Sequence, residues 1–268
     1  MKHLQQRRRS KKPLIICMLL LSVVIGGAVY WKFGLTQNTS RASGTVATTS
    51  GASKQTAAAP SFDKTAHSLT DPTSIWIVVN KTRPLAPKTY TPANLVVPNI
   101  PLRSNITSTE KYVSSAMAGP LETMVAAAKQ EGVHLDLESG YRSYSFQVTL
   151  YNSYVKQQGQ AVADSQSARP GYSEHQTGLA ADLGGTSNPS CNVEDCFSDT
   201  PEGKWLAANA YKYGFIIRYP ADKVKVTGYI YEPWHIRYIG TDLSNELHNK
   251  GIETLEEFFG LPAAPDYK

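Results

Sequence analysis

Two short stretches, about fifty residues apart, constrain the fold of this 268-residue chain more than anything else in it. The first is Ser173-Glu174-His175-Gln176-Thr177-Gly178-Leu179-Ala180-Ala181-Asp182, and the second is Glu232-Pro233-Trp234-His235. Together they supply two imidazoles, one carboxylate suited to a metal, and a further Glu beside the last His. Zn²⁺ accepts neutral His nitrogens and carboxylate oxygens, and a catalytic zinc typically keeps three protein ligands and one position for water. A neighbouring Glu can take the proton from that water. The pattern reads as a zinc hydrolase, and it requires a fold that brings His175, Asp182 and His235 to one point.

His175 and Asp182 are seven residues apart, two helical turns, so a helix would put both on one face. A loop running into a strand is the preferred reading. Gly178 breaks a helix, and Leu179 to Leu183 ends in the stop signal Gly184-Gly185. Small residues at 178, 180 and 181 let the backbone pass close to a metal. Tyr229-Ile230-Tyr231 and Ile236-Arg237-Tyr238-Ile239 are rich in β-formers and place His235 on or beside a strand. Pro233 cannot donate in a central ladder, which predicts an edge or a bulge. Each residue alone has an ordinary reading: a plain polar His, an Asp capping a turn, a Trp in the core. The combination argues against all of these at once. Of the other histidines, His3 and His67 fall outside the expected folded domain, and His134 and His248 read as surface residues.

These motifs, Ser173-x-His175, Gly178-x-Ala180-x-Asp182 and Glu232-Pro233-Trp234-His235, resemble those of the VanY-type zinc D-alanyl-D-alanine carboxypeptidases. They also resemble the related LdcB-type L,D-carboxypeptidases. Ser139-Gly140-Tyr141-Arg142-Ser143 and Ser167-Ala168-Arg169-Pro170-Gly171 match the same family, and the resemblance runs from about Val79 to about Gly240. It implies one Zn²⁺ per chain, held by His175, Asp182 and His235. Glu232, three residues from His235, would be the general base and then the proton donor to the leaving amine. Arg142 can meet either a terminal carboxylate, through its fork of donors, or a developing oxyanion. Tyr141, Gln147 and Ser173 are candidate peptide contacts, and Arg169 either joins them or shapes its own loop. The expected reaction is removal of the terminal D-alanine from peptidoglycan stem peptides. Alternatives are L,D cleavage of tetrapeptide stems, a cell-wall endopeptidase, and a wall-binding module without catalysis. An intact base argues against the last, and an Arg suited to a terminal carboxylate argues against the endopeptidase.

The net charge of +5 would suit a polyanionic partner, but the excess is local. Six of the 27 basic residues lie in 1–13, which holds no acid, leaving 21 basic residues against 22 acidic ones. A nucleic-acid binder is therefore not expected. Residues 14–31 are almost wholly apolar and as a helix would span about 27 Å, enough for a bilayer core. The preceding basic tail predicts a single-pass anchor with the remainder outside the cell. A cleaved signal peptide ending near Gly26-Gly27-Ala28 is the competing reading. Residues 32–70 follow as a flexible linker: of the 35 residues from Thr36, 23 are Ser, Thr, Ala or Gly. Anchor, tether and zinc site together point to cell-wall peptidoglycan.

The catalytic domain is expected over 71–268, as an α+β fold with a small antiparallel sheet carrying the zinc site and helices flanking it. Strands are expected at Ile75–Val79, Val133–Glu138, Phe215–Tyr219 and around Tyr229–Ile239. Helices are expected over Lys111–Gln130, in two pieces if Pro120 starts the second, and over Ser145–Gln158, with Phe146, Leu150 and Tyr154 spaced by four on one face. Gln147, one position beyond Phe146, faces a cleft or solvent, with solvent the default reading. Thr200 caps a further helix with Pro201 in its first position and Gly214 at its end. One or two helices close the chain over Thr241–Phe259. Cys191 and Cys196 suggest a local disulfide outside the membrane.

Overall fold

The computed structural model describes residues 61–107 and 109–268. The expected basic tail, the anchor over 14–31 and most of the linker lie outside the described residues. Among the described residues, no helix is long and apolar enough to cross a membrane.

The domain is α+β, as its sequence implies. A two-stranded sheet pairs β1 (Leu95–Val96) with β2 (Val113–Ser114). Then come α1 (Ser115–Gln130), β3 (Leu135–Ser139), α2 (Tyr144–Gln158) and α3 (Gln160–Gln166). β4 (Ala180–Gly185), α4 (Pro201–Asn209), β5 (Phe215–Ile217), α5 (Val224–Thr227) and β6 (His235–Tyr238) follow, with α6 (Thr241–Lys250) and α7 (Leu255–Phe259) last. The main sheet has the order β3-β4-β6-β5, antiparallel throughout.

Alternation along the strands feeds two apolar clusters. On β5, Phe215 joins Met117, Leu121 and Met124 of α1, together with Leu137 and Leu183. Ile216 joins Leu243, Leu247, Leu255 and Phe258 of the closing helices. The helix ends follow their caps. Ser143 Oγ accepts from Phe146 N at 3.1 Å, Thr200 Oγ1 accepts from Gly203 N at 3.0 Å, and Gly214 stops the turn after α4 at φ 90°.

Several expectations are corrected. Ile75–Val79 alternates as a strand should, Trp76 and Val78 entering one cluster and Ile77 and Val79 the other, yet it joins no ladder. Side chains serve its carbonyls instead: Arg237 Nη2 donates to Ile75 O and Ile77 O at 3.0 and 2.7 Å, and Arg83 Nε donates to Val78 O at 3.2 Å. Tyr229–Tyr231 is also not a strand; Ile230 N donates to Ser165 O. Pro233 is at neither an edge nor a bulge. It lies in a turn, closed by His235 N donating to Glu232 O at 3.1 Å, that feeds a central strand.

α1 runs through Pro120 as one helix, starting at Ser115 rather than Lys111. Buried Met117, Leu121, Met124, Val125 and Ala128 form one stripe across the proline and hold both halves against the sheet. On α2 the buried residues are Gln147 and Tyr151, not Phe146, Leu150 and Tyr154. The reason is a polar neighbour, since Tyr151 Oη donates to Asp164 of α3 at 2.7 Å. The packed domain also starts before Asp71. Phe62 stacks on Trp76 with ring centroids 5.6 Å apart, and His67 meets the same indole at 4.7 Å.

Candidate active site

The site begins at the end of β3, where the register shifts between Leu137 and Ser139. Gly140 follows in a place that no side chain fits: a Cβ there would lie 2.3 Å from Tyr112 O. That close approach sets the Gly140 carbonyl against His175, whose Nδ1–H donates to it at 2.7 Å. His175 lies in a 3₁₀ turn, Glu174–Thr177, that ends on Gly178 at φ 70° and delivers the chain into β4. The expected loop into a strand is what forms. In β4, Asp182 stands opposite both Ser139 of β3 and His235 of β6.

The ligand atoms of His175, Asp182 and His235 all lie within 4.8 Å of one another. His175 Nε2 is 3.4 Å from Asp182 Oδ2, and His235 Nδ1 is 3.2 Å from Asp182 Oδ1. The two imidazoles meet at 89° with centroids 4.8 Å apart. All three residues are buried, and neither His175 Nε2 nor Asp182 Oδ1 has a hydrogen-bond partner. Unpartnered buried polar atoms are rare. Here they converge, and two imidazoles with one carboxylate are a zinc donor set that leaves a position open. The residues fit the metal.

Burial holds the His175 pKa down to about 4, with Arg142 adding to the effect. Burial also works against a charge on His235, but the nearby carboxylates of Asp182, Glu174 and Glu232 lift it to about 9. Asp182 stays well below the usual carboxylate range despite its burial, because His175, His235 and Arg142 surround it. Glu232 is pushed up to about 7, first by burial and then by Asp182, against the pull of His235. Without a cation, the centre therefore draws a proton onto His235. Metal binding displaces protons from such ligands.

Glu232 comes from the turn before β6, and its Oε2 is 3.4 Å from His235 Nδ1. Arg142, just beyond β3, places Nη2 3.8 Å from Asp182 Oδ2, and its buried Nε has no partner. Both line a cleft of about 750 Å³. One wall is α2 and α3, with Gln147, Leu150 and Tyr154; the other is the loop closed by the Cys191–Cys196 disulfide, with Val193 and Glu194. Gln147 is not a solvent residue: Nε2 donates to Ala168 O at 2.7 Å and to Ser167 Oγ at 3.2 Å, while Oε1 is unpartnered in the cleft wall. Ser173 lines the cleft floor. Tyr141 is buried and absent from the lining, its N–H donating to Tyr112 O. Arg169 is held by Asp164 at 2.8 Å and by the Tyr267 ring, so it shapes its loop.

Sequence reasoning missed what lies behind the ligands. Glu174, Arg218, Arg237 and Glu256 form a buried ionic group beneath His235. Single Arg residues inside Phe215–Tyr219 and Ile236–Ile239 were the available signal, since a charge amid β-formers needs a buried partner. Tyr219 was also missed; its ring lies 4.8 Å from that of His235 and lines the cleft.

Comparison with known proteins adds four likenesses. The family model of VanY, D-alanyl-D-alanine carboxypeptidase, matches residues 110–241. The putative carboxypeptidase YodJ of Bacillus subtilis is 42% identical over 189 residues, covering 70% of this chain and 68% of that protein. The solved structure of the LdcB LD-carboxypeptidase is similar at a TM-score of 0.66 and 42% identity, covering 70% of this chain and 87% of that one. A mutant of the vancomycin-resistance D,D-pentapeptidase VanY, solved with Zn(II), is similar at a TM-score of 0.56 and 30% identity, covering 68% and 97%.

Proposed function

The chain belongs to the VanY family of D-alanyl-D-alanine carboxypeptidases, and from that membership we propose how its own residues carry out the reaction. It is a zinc metallopeptidase that acts as a peptidoglycan carboxypeptidase. The observation that carries the site assignment is the convergence of buried, unpartnered atoms of His175 and Asp182 with His235, next to Glu232 and Arg142.

Zinc held by His175, Asp182 and His235 would polarise the scissile carbonyl and make a bound water acidic near neutral pH. Glu232 takes a proton from the attacking water at a carboxylate oxygen and later gives it to the nitrogen of the departing D-alanine. Its burial gives it a proton affinity near neutrality, which suits both halves of that exchange. Arg142 receives the terminal carboxylate or the developing oxyanion, and its unpartnered Nε is a donor still to be used. Ser173 and Gln147 offer polar contacts along the peptide. The products are a stem peptide one residue shorter and free D-alanine.

The substrate we assign is the pentapeptide stem ending in D-alanyl-D-alanine. The likeness to LdcB favours a second reading, L,D cleavage of the tetrapeptide. An anchor over 14–31 and one zinc per chain are further parts of this reading, supported by the apolar run behind a basic tail and by the single His-Asp-His group among the described residues. Mass spectrometry of muropeptides incubated with the zinc-loaded chain tests it. Loss of one alanine from pentapeptide is the expected result, and loss from tetrapeptide alone selects the second reading. Glu232→Gln should keep its zinc and its melting temperature while turnover falls about 10²- to 10⁴-fold. Wild-type turnover in that variant would refute the assignment of the base.

A further inference from the structure

The two histidines of the centre are held in different ways. His175 has its rear nitrogen on a neutral carbonyl, that of Gly140. His235 turns Nδ1 toward Asp182, so its rear nitrogen is Nε2, and Nε2 faces Glu174 Oε2 at 3.7 Å. Both of these atoms are buried without a hydrogen-bond partner.

Glu174 is not free to serve another group. It is 1% exposed, and its Oε1 accepts from Arg218 Nε at 2.8 Å and from Arg237 Nη1 at 2.6 Å. Arg218 is in turn gripped by both oxygens of Glu256, at 2.7 and 2.9 Å, and Arg237 by the Ile75 and Ile77 carbonyls. The clamp fixes one oxygen and leaves the other aimed at the imidazole. A purely structural ion pair would be served by Oε1 alone; it gives no account of two orphaned atoms turned toward each other. One tautomer accounts for both. With the proton on Nε2, the imidazole donates to Glu174, and the lone pair on Nδ1 is available to a metal. Closing the gap by roughly 0.7 Å reaches ordinary hydrogen-bond length.

We propose that Glu174 is a positioning residue for the metal centre: clamped by Arg218 and Arg237, its carboxylate holds His235 with Nε2 protonated and Nδ1 presented as the ligand. A carboxylate behind a ligating histidine fixes its ring and strengthens it as a donor, and loss of such a partner typically weakens metal binding about 10- to 100-fold. The centre then has one ordinary imidazole, His175, and one strengthened imidazole, His235. The inference rests on the zinc site proposed above.

The test compares two variants by chelator competition for zinc and by thermal melting. Glu174→Asp keeps the charge that Arg218 and Arg237 need but withdraws the oxygen from His235. Glu256→Gln disturbs the same ionic group on the side away from the metal. Glu174→Asp should bind zinc about 10- to 100-fold more weakly, and Glu256→Gln should melt earlier with unchanged zinc affinity. Equal losses of zinc affinity in the two variants would reduce Glu174 to a structural role and overturn the inference. ¹⁵N NMR of the zinc-loaded wild-type chain decides independently of any variant's folding. It should show His235 protonated at Nε2 and metal-bound at Nδ1, and the reverse pattern overturns the inference. A wild-type chain that takes up no zinc overturns the site reading itself and the inference with it. Zinc uptake by the wild type with an unaffected Glu174→Asp overturns the inference alone.

Discussion

Replacing Arg237 with leucine should damage the domain far more than an ordinary core substitution. Arg237 is fully buried in β6, the strand between β4 and β5. Its guanidinium donates to Glu174 Oε1 at 2.6 Å, to Ile75 O at 3.0 Å and to Ile77 O at 2.7 Å. Leucine fills much of the same volume and donates nothing. Removing one partner of a buried ion pair costs about 3–5 kcal/mol. Here Arg218 still partners Glu174, so the lower end applies. The Ile75, Ile77 and Tyr238 carbonyls also lose a donor, at about 1–3 kcal/mol for a buried group left without one. These losses share one site and do not simply add, so about 4–6 kcal/mol is expected in total. In a domain of this size each kcal/mol moves the melting temperature by about 2–4 °C. Arg237→Leu should therefore melt roughly 10–20 °C below wild type, measured by circular dichroism on metal-free protein so that zinc binding does not enter. Lys223→Ala, which removes a half-buried surface cation from Asp222, Glu253 and Glu257, is the contrast and should melt close to wild type. An Arg237→Leu variant that melts within about 3 °C of wild type would show that the ionic group does not hold the sheet to the Ile75–Val79 segment.

The metal-free domain should also lose stability in acid. Against their burial, Arg237 and Arg218 hold Glu174, and Arg218 and Asn80 hold Glu256, below the ordinary carboxyl pKa. The stability they contribute is thus complete above an unfolded value of about 4.3 and lost as the pH falls below it. A melting temperature flat from pH 6 to pH 3 would contradict this. Arg142→Lys keeps the charge but loses the fork. Its kcat/KM should fall about 10- to 100-fold, the worth of a charge-assisted hydrogen bond, on stem peptides with a free C-terminus, with zinc retained; an unchanged value would remove Arg142 from substrate recognition. Replacing both Cys191 and Cys196 with serine opens a short loop, worth about 2 kcal/mol in the chain-entropy account. Because that loop is a wall of the cleft, KM should rise while the zinc content holds, and an unchanged KM would make the disulfide irrelevant to the substrate.

The ligands were legible because their chemistry lies in side-chain identity and short spacing. His175, Asp182, Glu232 and His235 needed only a turn and two strands to meet, and Gly178 signalled the turn. The helix cap at Thr200 was local in the same sense, whereas the Ser143 cap of α2 was not read and the buried face of that helix was misjudged. What could not be read was decided by partners distant in sequence. Ile75–Val79 has a strand's alternation, but Arg237, more than 150 residues away, takes the carbonyls a ladder would have used. Gln147 looked like a solvent residue because a helical wheel cannot show that α3 and the Ser167–Ala168 backbone close over it. Glu174 went unnoticed between two more informative neighbours, since its meaning depends on two arginines 44 and 63 residues further along the chain.

Ser139, Asp182 and His235 face one another across β3, β4 and β6, so two of the three ligands lie on a single rung that crosses the sheet. Whatever length of chain joins the rungs is invisible to it. The disulfide loop between β4 and α4 can lengthen, shorten or change composition without moving a ligand atom, provided the pairing holds. A slip of one residue between β4 and β6 would instead turn His235 to the opposite face and abolish the centre outright. Tolerance and intolerance are therefore separated by geometry. Substrate preference can drift in the walls of the cleft while the reaction stays fixed, and a cation that binds only the correct rung would report during folding that the strands are in register.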